Sequence, residues 1–415
     1  MTEERTDVII VGGGAAGMFS AILCARCGKR VVLFEQKKQL GKKLLATGNG
    51  KCNYTNLYIS EDCYGGEQDG FVEYGIHAFG PDKAVECLKK MGIYPKNKNG
   101  YIYPYSEQAS AVLDIFEMEI HNAGIHVKFE KVLEIQKKKD FIVRTENGRY
   151  TGKQLVLATG GKASPKLGSD GSGFVLARKL GHRIVDPVPA LIGLKCSEAY
   201  YKEISGVRVF AEISLYVDQE KVQEEKGELQ LTSYGISGIP VFQLSRYAAR
   251  ALEDGKSVSA CIDYMPEFTK EELELELTRR FRKSDKNASE ALIGLLNQKL
   301  IQVFLPLSGI SKTKKASSIN AQQIKQLAVK LKKMNTKIVE TNGFEQAQVT
   351  AGGVSTDEID EKTMESKLIK DFYLVGEVMD VDGICGGYNL QWCWISAYLA
   401  SCAICGMDCI EKIEE

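Results

Sequence analysis

The chain opens on an apolar run, Asp7-Val-Ile-Ile-Val11, too short for a core helix and rich in β-branched residues. That is the pattern of a strand buried on both faces of a parallel sheet. A glycine turn, a small-residue helix from Ala15 to Cys27 and a second apolar strand from Arg30 to Glu35 follow. Together they make one βαβ unit, which crosses over right-handed and binds ligands beyond the carboxyl ends of its strands. Further strands are expected at Val127 to Phe129, Phe141 to Thr145 and Gln154 to Ala158. From about Leu191 the texture changes. Val207 to Val217, Glu228 to Thr232 and Ser257 to Tyr264 read as strands with short polar connections. From Thr269 to about Thr336 the apolar positions Leu273, Leu277, Leu292, Leu295 and Leu296 recur at helical spacing. Strand pattern returns at Gln346 to Thr350 and at Asp371 to Val375. The fold class expected is α/β, a Rossmann-like domain of residues 1–190 and 346–415. A β-barrel-like plus helical insert, 191–345, interrupts it, mainly β over 191–267 and mainly helical and basic over 268–345.

Charge sharpens that division. Lys+Arg and Asp+Glu both number 54 in 415 residues, so the whole chain has no bias toward polyanions. Between Phe268 and Lys337, however, 15 Lys and Arg stand against six acids, leaving +9 there and −9 elsewhere. Such a surface is either a solvated helical face or a dock for a polyanion such as RNA. No apolar run reaches the ~18 residues of a membrane span, and Met1 to Asp7 is charged, so a cytoplasmic protein without a membrane partner is expected. Twelve cysteines without a secretory leader imply reduced thiols. Cys24 and Cys27 in the first helix, and Cys402, Cys405 and Cys409 at helical spacing near the C-terminus, read as packing residues. With four histidines in all, no metal site is expected.

Gly12-Gly13-Gly14-Ala15-Ala16-Gly17 fits G-x-G-x-x-G between a strand and a helix. Gly12 permits the tight turn, Gly14 leaves room for a pyrophosphate, and Gly17 lets helix and strand pack closely. The helix N-terminus beside Ala15 and Ala16 offers N–H groups and partial positive charge to phosphate. Glu35 closes the next strand, where a carboxylate can accept from both ribose hydroxyls. Leu155-Val-Leu-Ala158-Thr159-Gly160-Gly161 is similar to the strand and turn of two-glycine flavoproteins, and Asp371 to Glu377 to their last strand. Gly386-Gly387-Tyr388-Asn389-Leu390 opens an apolar helix whose N-terminus would stabilise charge on a reduced flavin.

Longer motifs carry a resemblance. Gly41 to Asn53 (GKKLLATGNGKCN), Thr350 to Val354, Thr363 to Lys367, and Gly376 to Gly383 followed by Gly386 to Trp392 closely resemble the BaiN/RdsA family of bacterial flavoproteins, from about Thr6 to Gly406. The resemblance implies FAD, a Rossmann-like domain and an insert between its halves. Members act on different substrates: a C=C bond of steroid-like bile acid intermediates, aminoacetone, and a ribosomal RNA uridine reduced to dihydrouridine. Two positions depart from the pattern: Lys51 where members often carry Arg, and Ser233 where many carry His.

The candidate cofactor residues are completed by Gln36, Lys43, Thr47, Gly48, Cys52, Asn53, Val132, Gly376 and Glu377. Cys52, Asn53 and Tyr234 are the candidate catalytic residues, Tyr234 as a proton source. Cys52 beside Lys51 is either a lowered-pKa thiol or a small residue in a tight loop. No C-x-x-x-x-C redox pair accompanies Cys52, which disfavours a dithiol reductase. No second G-x-G-x-x-G appears; Gly168-Ser-Asp-Gly171-Ser-Gly173 has the wrong spacing and no strand before it. NAD(P)H, if it is the reductant, is expected to visit the flavin transiently. The expected activity is reduction of an activated C=C bond in a small molecule. The alternatives are ribosomal RNA dihydrouridine synthesis through the basic insert, and flavin binding without turnover.

Overall fold

In the computed structural model, which describes residues 4–282 and 285–413, the first apolar run becomes the middle of a seven-stranded sheet. β1 (Glu4–Val11) pairs in parallel with β2 (Val31–Phe34) on one side and with Arg149–Leu157 on the other. Val8, Ile9 and Ile10 have no exposed surface, so the run is continuous because both faces are covered. α1 (Ala15–Arg26) provides one cover. Arg149–Leu157 changes neighbours along its length. Its first four residues pair antiparallel with Phe141–Thr145, and its last three pair in parallel with Phe372–Leu374. This junction, at the carboxyl ends of β1 and Arg149–Leu157, is where an open α/β sheet binds ligands.

The C-terminal helix, Tyr388–Cys405, is buried around nearly its whole circumference, including Gln391, Trp392, Trp394 and Ser396. Several of its polar groups find distant partners, although Trp392 Nε1 has none among the described residues. Trp394 Nε1 donates to Tyr54 O at 2.9 Å, and Gln391 accepts from the Thr55 hydroxyl and donates to Phe79 O.

The chain divides into two units, residues 1–188 with 344–415 and residues 189–343. In the second, six strands close a barrel in the order Leu194–Cys196, Gly235–Ser237, Glu220–Thr232, Arg208–Val217, Val258–Asp263 and Met334–Thr341. Ala211, Ile213, Leu215, Leu229, Leu231 and Ile262 form the fully buried interior.

Three expectations need correction. Met334–Thr341 falls in the stretch expected to be helical, yet it is the strand that closes the barrel. Met334, Thr336 and Ile338 are buried and Asn335 and Lys337 exposed, a period of two that short windows merge with the preceding helix. Conversely Ile239–Glu253 is a helix inside the stretch expected to be mainly β, with Val241, Leu244, Ser245 and Ala248 on its buried side. Cys409 is not on the C-terminal helix at all: the helix stops at Cys405, and Gly406, at φ 70°, turns the chain. Lys283 of the basic stretch lies outside the described residues.

Candidate functional site

β1 ends in the glycine turn, and sterics sort its three glycines by role. A Cβ on Gly12 (φ +112°) would lie 2.3 Å from Ala158 O, and one on Gly17 1.8 Å from Gly12 O. Both are therefore packing requirements. A Cβ on Gly14 would meet nothing within 4 Å. It would project into a cleft of about 890 Å3, open mouth included, whose walls include Gly12, Gly14, Ala15, Ala16, Glu35, Lys43, Thr47 and Ala158. Thr159, Gly160, Gly376, Glu377, Asn389 and Leu390 complete the expected part of that wall. Gln36 and Val132 line a smaller adjoining cleft that shares Gly12, Glu35, Thr159 and Gly168 with the first.

Two helices begin at this cleft. α1 has Gly14 as its N-cap and the C-terminal helix has Gly387, and neither receives a side-chain cap. The first N–H groups of a helix have no intrahelical partner and carry about half a positive charge. Both helix starts thus offer donors and positive potential, as a dinucleotide with its diphosphate and an electron-rich ring requires.

The carboxylates are held in place. Glu35 accepts from Gly13 N at 2.9 Å and Lys37 N at 2.7 Å, while burial raises its pKa. Glu377 receives Lys43 Nζ at 2.6 Å and Thr350 N at 2.9 Å. Two buried polar atoms here have no partner within the described protein, Thr159 Oγ1 and Asn53 Oδ1. Unpaired buried acceptors are costly. Thr159 lines both clefts, with its hydroxyl turned onto Gly173.

The remaining candidates stand behind this wall. Asn53 Oδ1 would lie 2.9 Å from a Cβ on Gly387, so no side chain fits at that helix start. Gly48, at φ 56°, packs on Asn53 N. Gly161 makes way for Thr350, whose Oγ1 accepts from Lys162 N and Ala163 N. Gly386 and Tyr388 anchor the helix start: Asn56 Nδ2 donates to Gly386 O, and Tyr388 OH to Tyr58 O. Cys52 is corrected. It has no exposed surface, and burial pushes its thiol up to about 12, so it is the small residue of a tight loop and no thiolate nucleophile. Tyr234 belongs to the barrel unit, where its hydroxyl fills the space beside Gly193.

Sequence reading missed Gln39, Lys42, Ser169, Gln348, Val349 and Cys393 in the wall. Lys42 lies inside the GKKLLATGNGKCN stretch, next to the expected Lys43. Ser169 belongs to the glycine segment that fails as a second nucleotide motif, yet Gly168 O accepts from Gln36 Nε2 at 2.6 Å and fixes that segment as cleft wall.

A dinucleotide-type cleft at the carboxyl ends of a Rossmann-like sheet, with a second helix start opening on it, is that of a flavoprotein oxidoreductase. The chain matches the HI0933-like protein Rossmann domain over residues 6–403 and belongs to that family. A 3-dehydro-bile acid delta(4,6)-reductase of Clostridium scindens is 41% identical over 396 residues, covering 94% of this chain and 97% of its own. Ribosomal RNA dihydrouridine synthases of Haemophilus influenzae and Escherichia coli are each 30% identical, covering 97% and 95% of this chain and 99% and 97% of theirs. Among the described residues no helix is long and apolar enough to cross a membrane.

Proposed function

We propose that the cleft holds FAD and that the chain is a cytoplasmic reductase of an activated C=C bond in a small apolar molecule, with NAD(P)H as electron donor. The observation that carries this reading is the pair of glycine-capped helix N-termini opening on one cleft. α1 would bind the diphosphate, and Glu35 the ribose hydroxyls of the adenosine end. Lys43 and Glu377 neutralise one another beside Gly376 and would orient the ribityl chain. The C-terminal helix would stabilise the negative charge that reduction places on the ring. A bound flavin supplies hydride transfer; the protein supplies position, electrostatics and the proton. Asn53 is a positioning residue at the start of the C-terminal helix. Similarity to the bile acid reductase over nearly the whole length of both chains supports a conjugated steroid-like ketone as the substrate class.

A second reading has its own support. The excess positive charge between Phe268 and Lys337, together with the dihydrouridine synthase relatives, favours ribosomal RNA. One experiment separates the two. Protein loaded with FAD and reduced without oxygen is mixed with a 3-oxo-4,6-diene steroid acid or with unmodified ribosomal RNA. Rapid return of the oxidised flavin spectrum with the steroid, and a product two hydrogens heavier, is the expected result. Reoxidation by RNA alone, with dihydrouridine formed, would reverse the assignment, and failure to take up FAD would remove both readings.

A further inference from the structure

α1 and the C-terminal helix also meet at their far ends, where five cysteines gather. Cys27 caps α1, Cys402 and Cys405 lie on the last turn of the C-terminal helix, and the chain turns at Gly406 to bring Cys409 back. Cys27, Cys405 and Cys409 place their sulfurs within 4.8 Å of one another, and the Cys27 and Cys409 sulfurs are 3.4 Å apart. Cys409 N–H donates to Cys402 Sγ at 3.4 Å, and Cys24 lies one turn further back on α1. All are free thiols.

The spacing decides what such a cluster suits. Four sulfurs each about 2.3 Å from a tetrahedral zinc ion are about 3.8 Å from one another. A disulfide requires about 2.05 Å between sulfurs. The Cys27–Cys409 separation of 3.4 Å lies close to the zinc value and exceeds the disulfide value by more than an ångström, and Cys405 completes a triangle with no side above 4.8 Å. Electrostatics agree. Two helix C-termini converge here, each with about half a negative charge, a setting that favours a cation and disfavours an isolated thiolate. The backbone N–H on Cys402 is the kind of outer-shell contact that orients a ligating sulfur. In sequence the signal is two C-x-x-C pairs, Cys24–Cys27 and Cys402–Cys405, of the type that binds zinc. A separation of 382 residues between Cys27 and Cys409 hides their meeting, so each reads alone as a packing residue.

We propose that Cys27, Cys405 and Cys409 form the core of a structural site for a thiolate-preferring divalent cation of zinc type, with Cys402, which already touches Cys409, as the fourth sulfur. It clamps the C-terminal ends of the two helices whose N-termini open on the cleft. Binding exchanges the thiol protons for the metal, so it weakens as pH falls. α1 spans 12 residues, about 18 Å at 1.5 Å each, so the clamp is remote from the glycine turn and acts on stability.

The test uses the full chain with its flavin, purified under reductant and without added metal. Elemental analysis should find about one zinc per chain. After chelation and cobalt addition, a ligand-field band of tetrahedral cobalt thiolate should appear to the red of the oxidised flavin bands. The double variant Cys405→Ser, Cys409→Ser should lose both signals, while Cys261→Ser in the barrel unit keeps them. Chelation of the unaltered protein should lower Tm with little change in the flavin spectrum. No metal, and no cobalt band in the unaltered protein, would overturn the proposal whether or not the variants fold. So would an intact mass two hydrogens lighter, which marks a Cys27–Cys409 disulfide instead.

Discussion

Gly14 and Gly17 are three residues apart and both small, but substitution should separate them completely. Gly14 has extended backbone angles open to any residue (φ −81°, ψ −172°), and its Cβ would meet only the cleft. Gly14→Val should therefore leave stability within about 0.5 kcal/mol while lowering FAD affinity at least about tenfold. Calorimetric titration of FAD against the apoprotein, beside a thermal melt, measures both. Gly17→Val drives a side chain into Gly12 O and should yield no folded protein. The motif shows which residues matter; only the packing around them says which face the ligand. His182 offers a second residue-scale test. Its Nδ1 pairs with Glu358 at 2.9 Å and its Nε2 with the Ser366 hydroxyl at 2.9 Å. Ser366 Oγ also accepts from Leu368 N and Ile369 N, so it donates its proton to Nε2 and the imidazole is neutral. Burial lowers its pKa below 6.5, against the pull of Glu358. As pH falls, the unfolded chain takes up the proton first, so this contribution to stability is present above about 6.5 and fades below it. Tm measured from pH 7.5 to 5 should fall less steeply for His182→Asn than for the unaltered protein.

The helices differ in how openly the sequence announces them. α1 and the C-terminal helix are legible because a glycine motif opens each and apolar or small residues fill each. Being buried on almost every side, they show no polar stripe that would mark a surface helix. Met334–Thr341 is illegible because a strand of period two follows directly on the helix Ala321–Lys332, and its reward is a distant pairing with Val258–Asp263 and Leu194–Cys196. The same distance effect conceals what the C-terminal helix does with its polar residues. Gln391 is fully buried, and its amide ties the helix to the Thr55 hydroxyl and to Phe79 O. Gln391→Leu keeps the volume but strands both partners, at about 1–3 kcal/mol each. Urea unfolding should show that loss as a lower midpoint with unchanged m. Gln391→Glu, which still accepts from Thr55, should cost less only where it is protonated.

At the scale of the whole molecule the question is whether the basic half of the insert has work to do. Part of its charge is already engaged locally. Arg279 and Arg280 pair with Glu276, Lys332 with Asp263 and with the Met265 and Phe268 carbonyls, and Lys299 with Ser205 O. Lys314 donates to Gln323 Oε1. Lys325, Lys330, Lys333 and Lys337 are the exposed remainder on the helix Ala321–Lys332 and the chain after it. Phosphate binding by such lysines would show a salt slope of about −0.7 for each phosphate neutralised on a single strand. If the chain is a small-molecule reductase, reversing Lys325, Lys330 and Lys333 to Glu should change steroid reduction by less than about twofold, because charge on a solvated face touches neither cleft nor fold. Flavin content should be unchanged as well. If it is an RNA enzyme, the same variant should lose dihydrouridine formation and flatten the salt dependence by about two units. The two readings thus assign opposite outcomes to one protein under one pair of assays. The pairings leave the net charge at +9, yet they hold Arg279, Arg280, Lys299, Lys314 and Lys332 on the unit's own carboxylates, carbonyls and amide, and a cation already committed to its own fold is less available to phosphate, which favours the first.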